Sequence, residues 1–181
     1  MTQNILSQQQ VEAISEVAEH PRNELLPKFL FELGIRLNEA RLLDRSDLTK
    51  DADSWKISVR NQMTGEIRKL TLQESAPELE NWLENHPRSE EDSPLLVDRN
   101  GNRITAHIIN TILSHLGEKA KKSNKQLFGS KFEPKKSMVY NLRRSSAHHK
   151  INNDPDFNEA KVKWWFGWKT GRQVEFFRQE K

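Results

Sequence analysis

The chain has 181 residues, with 29 lysines and arginines against 26 aspartates and glutamates, so its formal net charge is +3. This length fits a single domain, and the hydrophobic residues, 34% of the total, occur in clusters that can form a core. The sequence has no cysteine, secretory signal or long apolar run, which excludes disulfides, thiolate nucleophiles, cysteine-ligated zinc and a membrane span, and favours a reducing, intracellular setting.

Apolar residues at helical spacing predict three helices in the first quarter of the chain, over residues 8–17, 25–33 and 37–43. Ser7 and Gln10 form the pattern of a capping box at the start of the first helix. Pro21 is predicted to break this helix, and Gly34 is predicted to end the second.

The middle of the chain is predicted to hold short strands and one helix. Residues 55–59 and 66–72 alternate between apolar and polar side chains on either side of a turn at 63–65, which predicts a β-hairpin. A short helix is predicted for residues 77–85, and an apolar strand for 94–97.

The C-terminal half is predicted to be helical around one polar loop. Thr105 has the position of a helix cap, Gly117 is predicted to end that helix, and residues 119–136 have the composition of a loop. Further helices are predicted over residues 137–151, 156–166 and 172–179. The predicted fold is mixed α+β, mainly α-helical with a small three-stranded antiparallel sheet, in one domain over residues 1–181.

Charge is unevenly distributed along the chain. Residues 74–99 carry eight acidic and two basic side chains, a net −6, whereas residues 118–150 carry a net +8 and residues 161–181 a further +4. A basic half of this kind is typical of proteins that bind a polyanion, although a solvated lysine face is the alternative for the lysines alone.

The sequence contains no motif of a metal site, a common hydrolase or a nucleotide-binding enzyme. The six histidines form no metal-ligand spacing, so no metal site is predicted. Neither a G-x-S-x-G element nor a glycine-rich phosphate loop is present, which leaves ordinary hydrolases and nucleotide-binding enzymes without a motif.

Two arginines and an aromatic run stand out instead. Arg36 lies among apolar residues with Glu39 three positions later, and Arg143 lies beside a basic stretch. Residues 164–168 hold four aromatics in five positions, a pattern usual for core or interface packing. Two converging arginines and an indole N–H would also form a phosphate clamp.

The order and spacing of these motifs resemble the catalytic domain of tyrosine recombinases, the phage integrase family, over residues 6–177. The family's first signature is similar to Gly34-Ile35-Arg36-Leu37-Asn38-Glu39, followed by Leu42-Leu43 and Ser46-Asp47-Leu48. Residues 55–72 resemble the family's second and third strands, and residues 94–105 its next strand, turn and capped helix. The His-x-x-Arg box falls on Tyr140-Asn141-Leu142-Arg143, and the Gly-His/Trp box on Gly167-Trp168.

The resemblance implies a nucleophilic tyrosine nine residues beyond Trp168, where this chain has Phe177. Phenylalanine has no hydroxyl and cannot attack phosphorus. Either an introduced Tyr→Phe change or a naturally inactive relative explains this residue. The chain's only tyrosine, Tyr140, stands at the place of the family's histidine, and a relocated nucleophile there is a third explanation.

The remaining roles follow from the resemblance. Arg36 and Arg143 would bind the phosphate oxygens, and Tyr140 would hydrogen-bond the same phosphate. Trp168 would either donate its indole N–H or pack against the active-site helix. Glu39 would orient Arg36, unless it forms only an ion pair on the helix surface. The candidates for the family's hairpin lysine are Lys56, Arg60 and Lys69. Contacts with the DNA backbone are expected from Lys121, Lys122, Lys135, Lys136, Arg144, Lys169 and Arg172.

The implied function is site-specific DNA recombination or integration through a 3′-phosphotyrosyl intermediate, with no cofactor and no metal. The expected partner is double-stranded DNA, with self-association on DNA, in the prokaryotic cytoplasm and encoded by a virus or mobile element. The family's N-terminal core-binding domain is expected to be absent from this chain. As written, the chain is expected to bind DNA without cleaving it. The alternatives are a naturally non-catalytic DNA-binding relative, a type IB topoisomerase-like enzyme and a protein–protein scaffold.

Overall fold

The computed structural model describes residues 5–134 and 137–179. In chain order the elements are α1 (Gln8–Glu16), α2 (Pro21–Leu33), α3 (Leu37–Arg41), a 3₁₀ turn (Arg45–Asp47), β1 (Leu48–Asp51), β2 (Ser54–Arg60), β3 (Ile67–Leu72), α4 (Ala76–Glu84), α5 (Ala106–Ser123), α6 (Lys125–Phe128), α7 (Met138–Asn152), α8 (Glu159–Phe166) and α9 (Arg172–Gln179). Two of the predicted DNA contacts, Lys135 and Lys136, lie outside the described residues.

The first two helices begin at residues that are typical of helix starts. Ser7 Oγ accepts the backbone N–H of Gln10 at 3.2 Å, and Gln10 Oε1 accepts the backbone N–H of Ser7 at 2.9 Å, so the capping box is confirmed. Pro21 begins α2, four residues before the predicted start. Proline suits this position because its missing N–H would have no partner in the first turn.

The sheet has the predicted three antiparallel strands, in the order β1-β2-β3. Its third member is β1, and the expected strand at 94–97 was wrong because that segment forms only isolated bridges, from Pro94 to Asp44 and from Val97 to Arg103. The strand β1 has the sequence Leu-Thr-Lys-Asp and is largely exposed, so it carries no apolar alternation that could have predicted it.

The prediction that Gly117 ends a helix was also wrong, because α5 continues through it to Ser123. A Cβ on Gly117 would lie 2.5 Å from Cβ of Pro134. The glycine therefore permits a close approach of two segments. Part of the predicted polar loop is helical, since it contains the end of α5 and all of α6.

The core is built around α2, which contacts α1, α4, α5, α7 and β3. Its inward side chains have no exposed surface; they are Leu25, Leu26, Phe29, Leu30 and Leu33. This helix ends at Gly34, which adopts a left-handed conformation with φ 59°. In the described residues, no helix has both the length and the apolar character needed to cross a membrane.

Substitution of Gly34 by alanine is expected to lower the free energy of unfolding by about 2–5 kcal/mol, combining left-handed backbone strain with overpacking. An added Cβ would lie 2.3 Å from Cε1 of Phe166 and 2.8 Å from Oγ of Ser146. The matched control is Gly65→Ala, where φ is 75° and no atom lies within 4 Å of the added Cβ. Urea denaturation measures both variants, and equal losses would show that the contact with Phe166 contributes nothing.

Candidate active site

A cleft of about 430 Å³ opens between the start of α3, one face of α7 and the C-terminal helix α9. It brings together seven of the predicted site residues, which are far apart in the sequence. These are Arg36, Tyr140, Arg143, Arg144, Trp168, Arg172 and Phe177.

Arg143 is held by backbone carbonyl groups. Its Nη1 donates to the carbonyl oxygen of Gly34, and its Nη2 donates to that of Phe166 at 2.8 Å. No carboxylate of a described residue forms an ion pair with it. Burial, together with the positive charge of Arg36, lowers the pKa of Arg143 to about 9. A half-buried guanidinium that forms no ion pair with a carboxylate favours the binding of an anion.

Two hydrogen bonds to Glu39 hold Arg36 in position. One carboxylate oxygen of Glu39 accepts the Arg36 backbone N–H at 2.8 Å, and the other accepts Arg36 Nη1 at 3.1 Å. The Glu39 side chain is only 1% exposed, whereas the Arg36 side chain is 40% exposed and lines the cleft. The remaining N–H groups of Arg36 can therefore reach a ligand.

A further arginine, Arg68, completes this network. Its Nη1 and Nη2 each donate to one oxygen of Glu39 at 3.0 Å, and its Nε donates to the carbonyl oxygen of Trp165 at 2.9 Å. Burial by itself would raise the pKa of Glu39, but the hydrogen bonds from Arg68 and from the Arg36 backbone outweigh it, and the pKa lies below its usual value. Arg68 thus connects α3 to the segment that carries Trp168.

Arg68 was not identified as a site residue from the sequence, although the alternation of β3 places it on the buried face of the strand. Arg68, Leu70 and Leu72 are the buried positions of β3, so Arg68 shares the face of two core leucines. Lys69 points to the other face and is exposed.

The candidates for the hairpin lysine lie outside the cleft. Lys69 is exposed, Arg60 donates to the carbonyl oxygen of Gly65 at 3.3 Å, and Lys56 donates to Thr71 Oγ1 at 2.9 Å. None of the three lines the cavity.

The aromatic run divides between core and cleft. Trp165 and Phe166 are buried, and Trp165 Nε1 donates to the carbonyl oxygen of Leu33 at 2.9 Å. Trp168 turns into the cleft, where its ring stacks between those of Phe166 and Phe177, with centroids 4.9 and 5.9 Å away. The tryptophan therefore packs directly against the position where the nucleophile is expected.

Phe177 is 7% exposed and lies on α9 between Trp168 and Arg144. The guanidinium carbon of Arg144 is 5.1 Å from the ring centroid of Phe176 and 5.6 Å from that of Phe177. Arg144 is itself 7% exposed and lines the cleft, so its contact with the DNA backbone stays a prediction. Tyr140, in contrast, lies at the rim and is 62% exposed.

The other predicted DNA contacts are spread over the surface. Lys169 and Arg172 are exposed near the cleft, and Lys122 is exposed on α5. Lys121 donates to the carbonyl oxygen of Phe132 at 2.5 Å, so its ammonium group already has a partner. Within residues 5–134 and 137–179 no group of three or more histidine, aspartate or glutamate side chains could hold a metal ion.

A sequence profile of the phage integrase family matches residues 4–180 of the chain. No curated protein sequence matches it.

Solved structures match over nearly the whole chain at low identity. XerA recombinase has a TM-score of 0.75 and 18% identity, covering 97% of this chain and 58% of that one. XerH site-specific recombinase, in a post-cleavage complex with palindromic difH substrate, has a TM-score of 0.73 and 19% identity, covering 98% and 50%. A lambda integrase dimer bound to a COC′ core site has a TM-score of 0.68 and 14% identity, covering 97% and 47%. The chain therefore spans between 47% and 58% of the length of these proteins, and what it shares with them is the fold.

Proposed function

The chain belongs to the phage integrase family and has the fold of a tyrosine recombinase catalytic domain, and we propose that it binds double-stranded DNA without cleaving it. One observation carries this proposal. Two arginines converge in a cleft whose nucleophile position holds a phenylalanine.

Binding would centre on one phosphodiester group. Arg143 provides a half-buried positive charge whose hydrogen bonds go to two carbonyl oxygens, and Arg36 keeps N–H groups that can reach a ligand. Together they can bind the two non-bridging oxygens of a phosphate, and charge-assisted bonds of this type are the strong ones. Tyr140 at the rim can add a hydroxyl donor to the same phosphate.

Contacts around this centre would be electrostatic. Lys122, Lys169 and Arg172 are exposed and basic, so they can contact neighbouring phosphates and make binding dependent on salt concentration. We place the protein on DNA in the prokaryotic cytoplasm, self-associating there, and encoded by a virus or mobile element. The family resemblance supports each of these points.

The absence of cleavage follows from the side chain at 177. In the reaction that the family resemblance implies, a tyrosine oxygen attacks phosphorus, the bond to the 5′-oxygen breaks, and that oxygen takes up a proton. The phosphate is then esterified to the protein, and a second 5′-hydroxyl reverses the step. Phe177 supplies no oxygen for the first attack.

The variant Phe177→Tyr is expected to form a covalent adduct with a nicked duplex, because the introduced hydroxyl would lie in the cleft beside Trp168 and above Arg144. The adduct is measured as a shifted band on a denaturing gel, against none for the unchanged chain. Phe176→Tyr is the matched control, since it adds the same hydroxyl one residue away on a side chain that is 45% exposed.

Two results would count against parts of the proposal. If Phe177→Tyr bound the duplex and formed no adduct, the cleft would be a phosphate-binding site without the geometry for transfer. If the unchanged chain formed an adduct that Tyr140→Phe abolished, Tyr140 would be the nucleophile and the protein would be an active enzyme.

A further inference from the structure

A second cavity lies away from the cleft. It has a volume of about 560 Å³ and opens between the start of α2, the end of α4 and the middle of α5. It shares no lining residue with the cleft, so nothing in the proposed DNA-binding site accounts for it.

A buried arginine with an incomplete set of partners lines this cavity. Arg22 is 8% exposed, its Nη1 donates to the carbonyl oxygen of Val97 at 2.6 Å, and its Nε and Nη2 donate to Asn23 Oδ1 at 3.0 and 2.8 Å. A guanidinium carries five N–H groups, so these three bonds leave two N–H groups without an acceptor among the described residues. No carboxylate of a described residue forms an ion pair with it.

The hydrogen-bond acceptors of Arg22 can be compared with those of Arg68 and Arg143. Arg68 is about as buried, and it has a bidentate carboxylate partner in Glu39. Arg143 has carbonyl partners in place of a carboxylate, and it lines the cleft where a phosphate would bind. Arg22 has the second pattern. Burial lowers the pKa of Arg22, although the charge of Asp98 opposes this, and an anion that accepts the two remaining N–H groups would offset the cost of burial.

A second arginine and a histidine also line the cavity. Arg99 and His115 are exposed and form no hydrogen bond or ion pair with another described residue.

Two carboxylates line the cavity as well. Glu19 forms an ion pair with Lys119 at 2.5 Å, and Asp98 Oδ1 accepts the backbone N–H groups of Asn100 and Asn102 at 2.8 and 2.9 Å.

The positive charges of this cavity also affect the pKa of His20, which lies next to Arg22. Burial, followed by the charges of Arg22 and Arg99, lowers the pKa of His20. Its Nδ1 accepts the backbone N–H of Arg22 at 3.2 Å. Arg22 and Arg99 therefore remain the cations of the cavity wall that form no ion pair, since Lys119 pairs with Glu19.

The remaining wall is apolar and aromatic. Trp82, Val97 and Leu116 are buried and line the cavity, and the ring of Trp82 lies 5.7 Å from that of His20. An inorganic anion alone would leave this wall uncovered. A ligand with an apolar or aromatic body would bury it, and removing this apolar surface from water favours binding.

We propose that this cavity binds a small organic anion, with its phosphate or carboxylate group on Arg22 and Arg99 and its apolar body against Trp82. This site is separate from DNA binding and does not depend on the function proposed above. Phosphate and carboxylate groups share the chemistry that a guanidinium recognises, so the experiment distinguishes them.

Calorimetric titration with phenyl phosphate, benzoate and inorganic phosphate tests the proposal. Phenyl phosphate or benzoate is expected to bind, the tighter of the two identifying the anionic group, and inorganic phosphate is expected to bind at least tenfold more weakly because it leaves the apolar wall exposed. Arg99→Gln is expected to weaken binding about tenfold, the effect of one charge-assisted hydrogen bond. Arg22→Gln is expected to abolish it.

Controls separate this site from the cleft and from general charge effects. Arg41→Gln removes one positive charge elsewhere, on α3, and is expected to leave ligand binding unchanged. Arg99→Gln is the decisive variant if Arg22→Gln fails to fold, because the Arg99 side chain is exposed. The proposal is overturned if neither organic anion binds, if Arg99→Gln binds as tightly as the unchanged protein, or if a DNA duplex displaces the ligand.

Discussion

Replacement of Arg68 by methionine is expected to lower the free energy of unfolding by about 3–5 kcal/mol, the usual cost of removing one partner from a buried ion pair. The substitution would leave the buried carboxylate of Glu39 with Arg36 as its only charged partner, and would leave the carbonyl oxygen of Trp165 without its donor. Denaturation in urea, followed by far-ultraviolet circular dichroism, measures the loss.

The neighbouring residue on the same strand gives a matched control. Lys69→Met removes the same charge with the same new side chain at an exposed position, and is expected to change stability by no more than about 0.5 kcal/mol. The double variant Arg68→Met, Glu39→Leu is expected to recover part of the loss, since it removes both buried charges. Similar values for Arg68→Met and Lys69→Met would mean that the network contributes nothing to stability.

Acid should weaken the same network. Because the pKa of Glu39 in the folded protein lies below its value of about 4.5 in the unfolded chain, the pair contributes fully above that value. Its contribution declines as the pH falls through the lower, folded pKa. The difference in stability between the unchanged protein and Arg68→Met should therefore shrink at acidic pH.

Replacement of Arg36 by glutamine is expected to weaken binding to a duplex by about 10- to 150-fold, since hydrogen bonds to charged groups contribute about 1.5–3 kcal/mol. The slope of log affinity against log salt should also fall by about one unit. Fluorescence anisotropy of a labelled duplex between about 50 and 200 mM salt measures both quantities.

Arg36 is the better of the two clamp arginines for this test. Its side chain is 40% exposed, whereas Arg143 also holds the carbonyl oxygens of Gly34 and Phe166, so its loss would disturb the fold. Arg41→Gln, which removes a positive charge on the same short helix outside the cleft, is expected to keep the affinity within about twofold. Equal losses for Arg36→Gln and Arg41→Gln would mean that the cleft does not hold a phosphate.

Two of the buried arginines outside the clamp, Arg68 and Arg22, differ in a way that separates structural from binding roles. Arg68 has a carboxylate at hydrogen-bond distance from both of its terminal nitrogens, and its charge is compensated within the fold. Arg22 has only a carbonyl and an amide oxygen as acceptors. The nature of the acceptor, and not burial alone, therefore indicates where an external anion would bind.

The sequence alone was enough to predict local features. Periodicity and capping residues placed most helices, because the apolar stripe and the Ser7–Gln10 pair are properties of neighbouring residues. The resemblance to the tyrosine recombinase family, carried by motifs in the sequence, likewise pointed to Arg36, Arg143 and Trp168, which line one cleft. The missing hydroxyl at 177 is also a property of the sequence.

Only the tertiary structure decided which partners these residues have. The strand β1 is held by pairing with β2, and Gly117 is required by its approach to Pro134, so neither has a local signal. The Arg68–Glu39 pair joins residues 29 positions apart, and the carbonyl oxygen of Gly34 meets Arg143 across 109 positions. A buried charge is stable only with the partners that packing brings to it, and those partners depend on the fold as a whole.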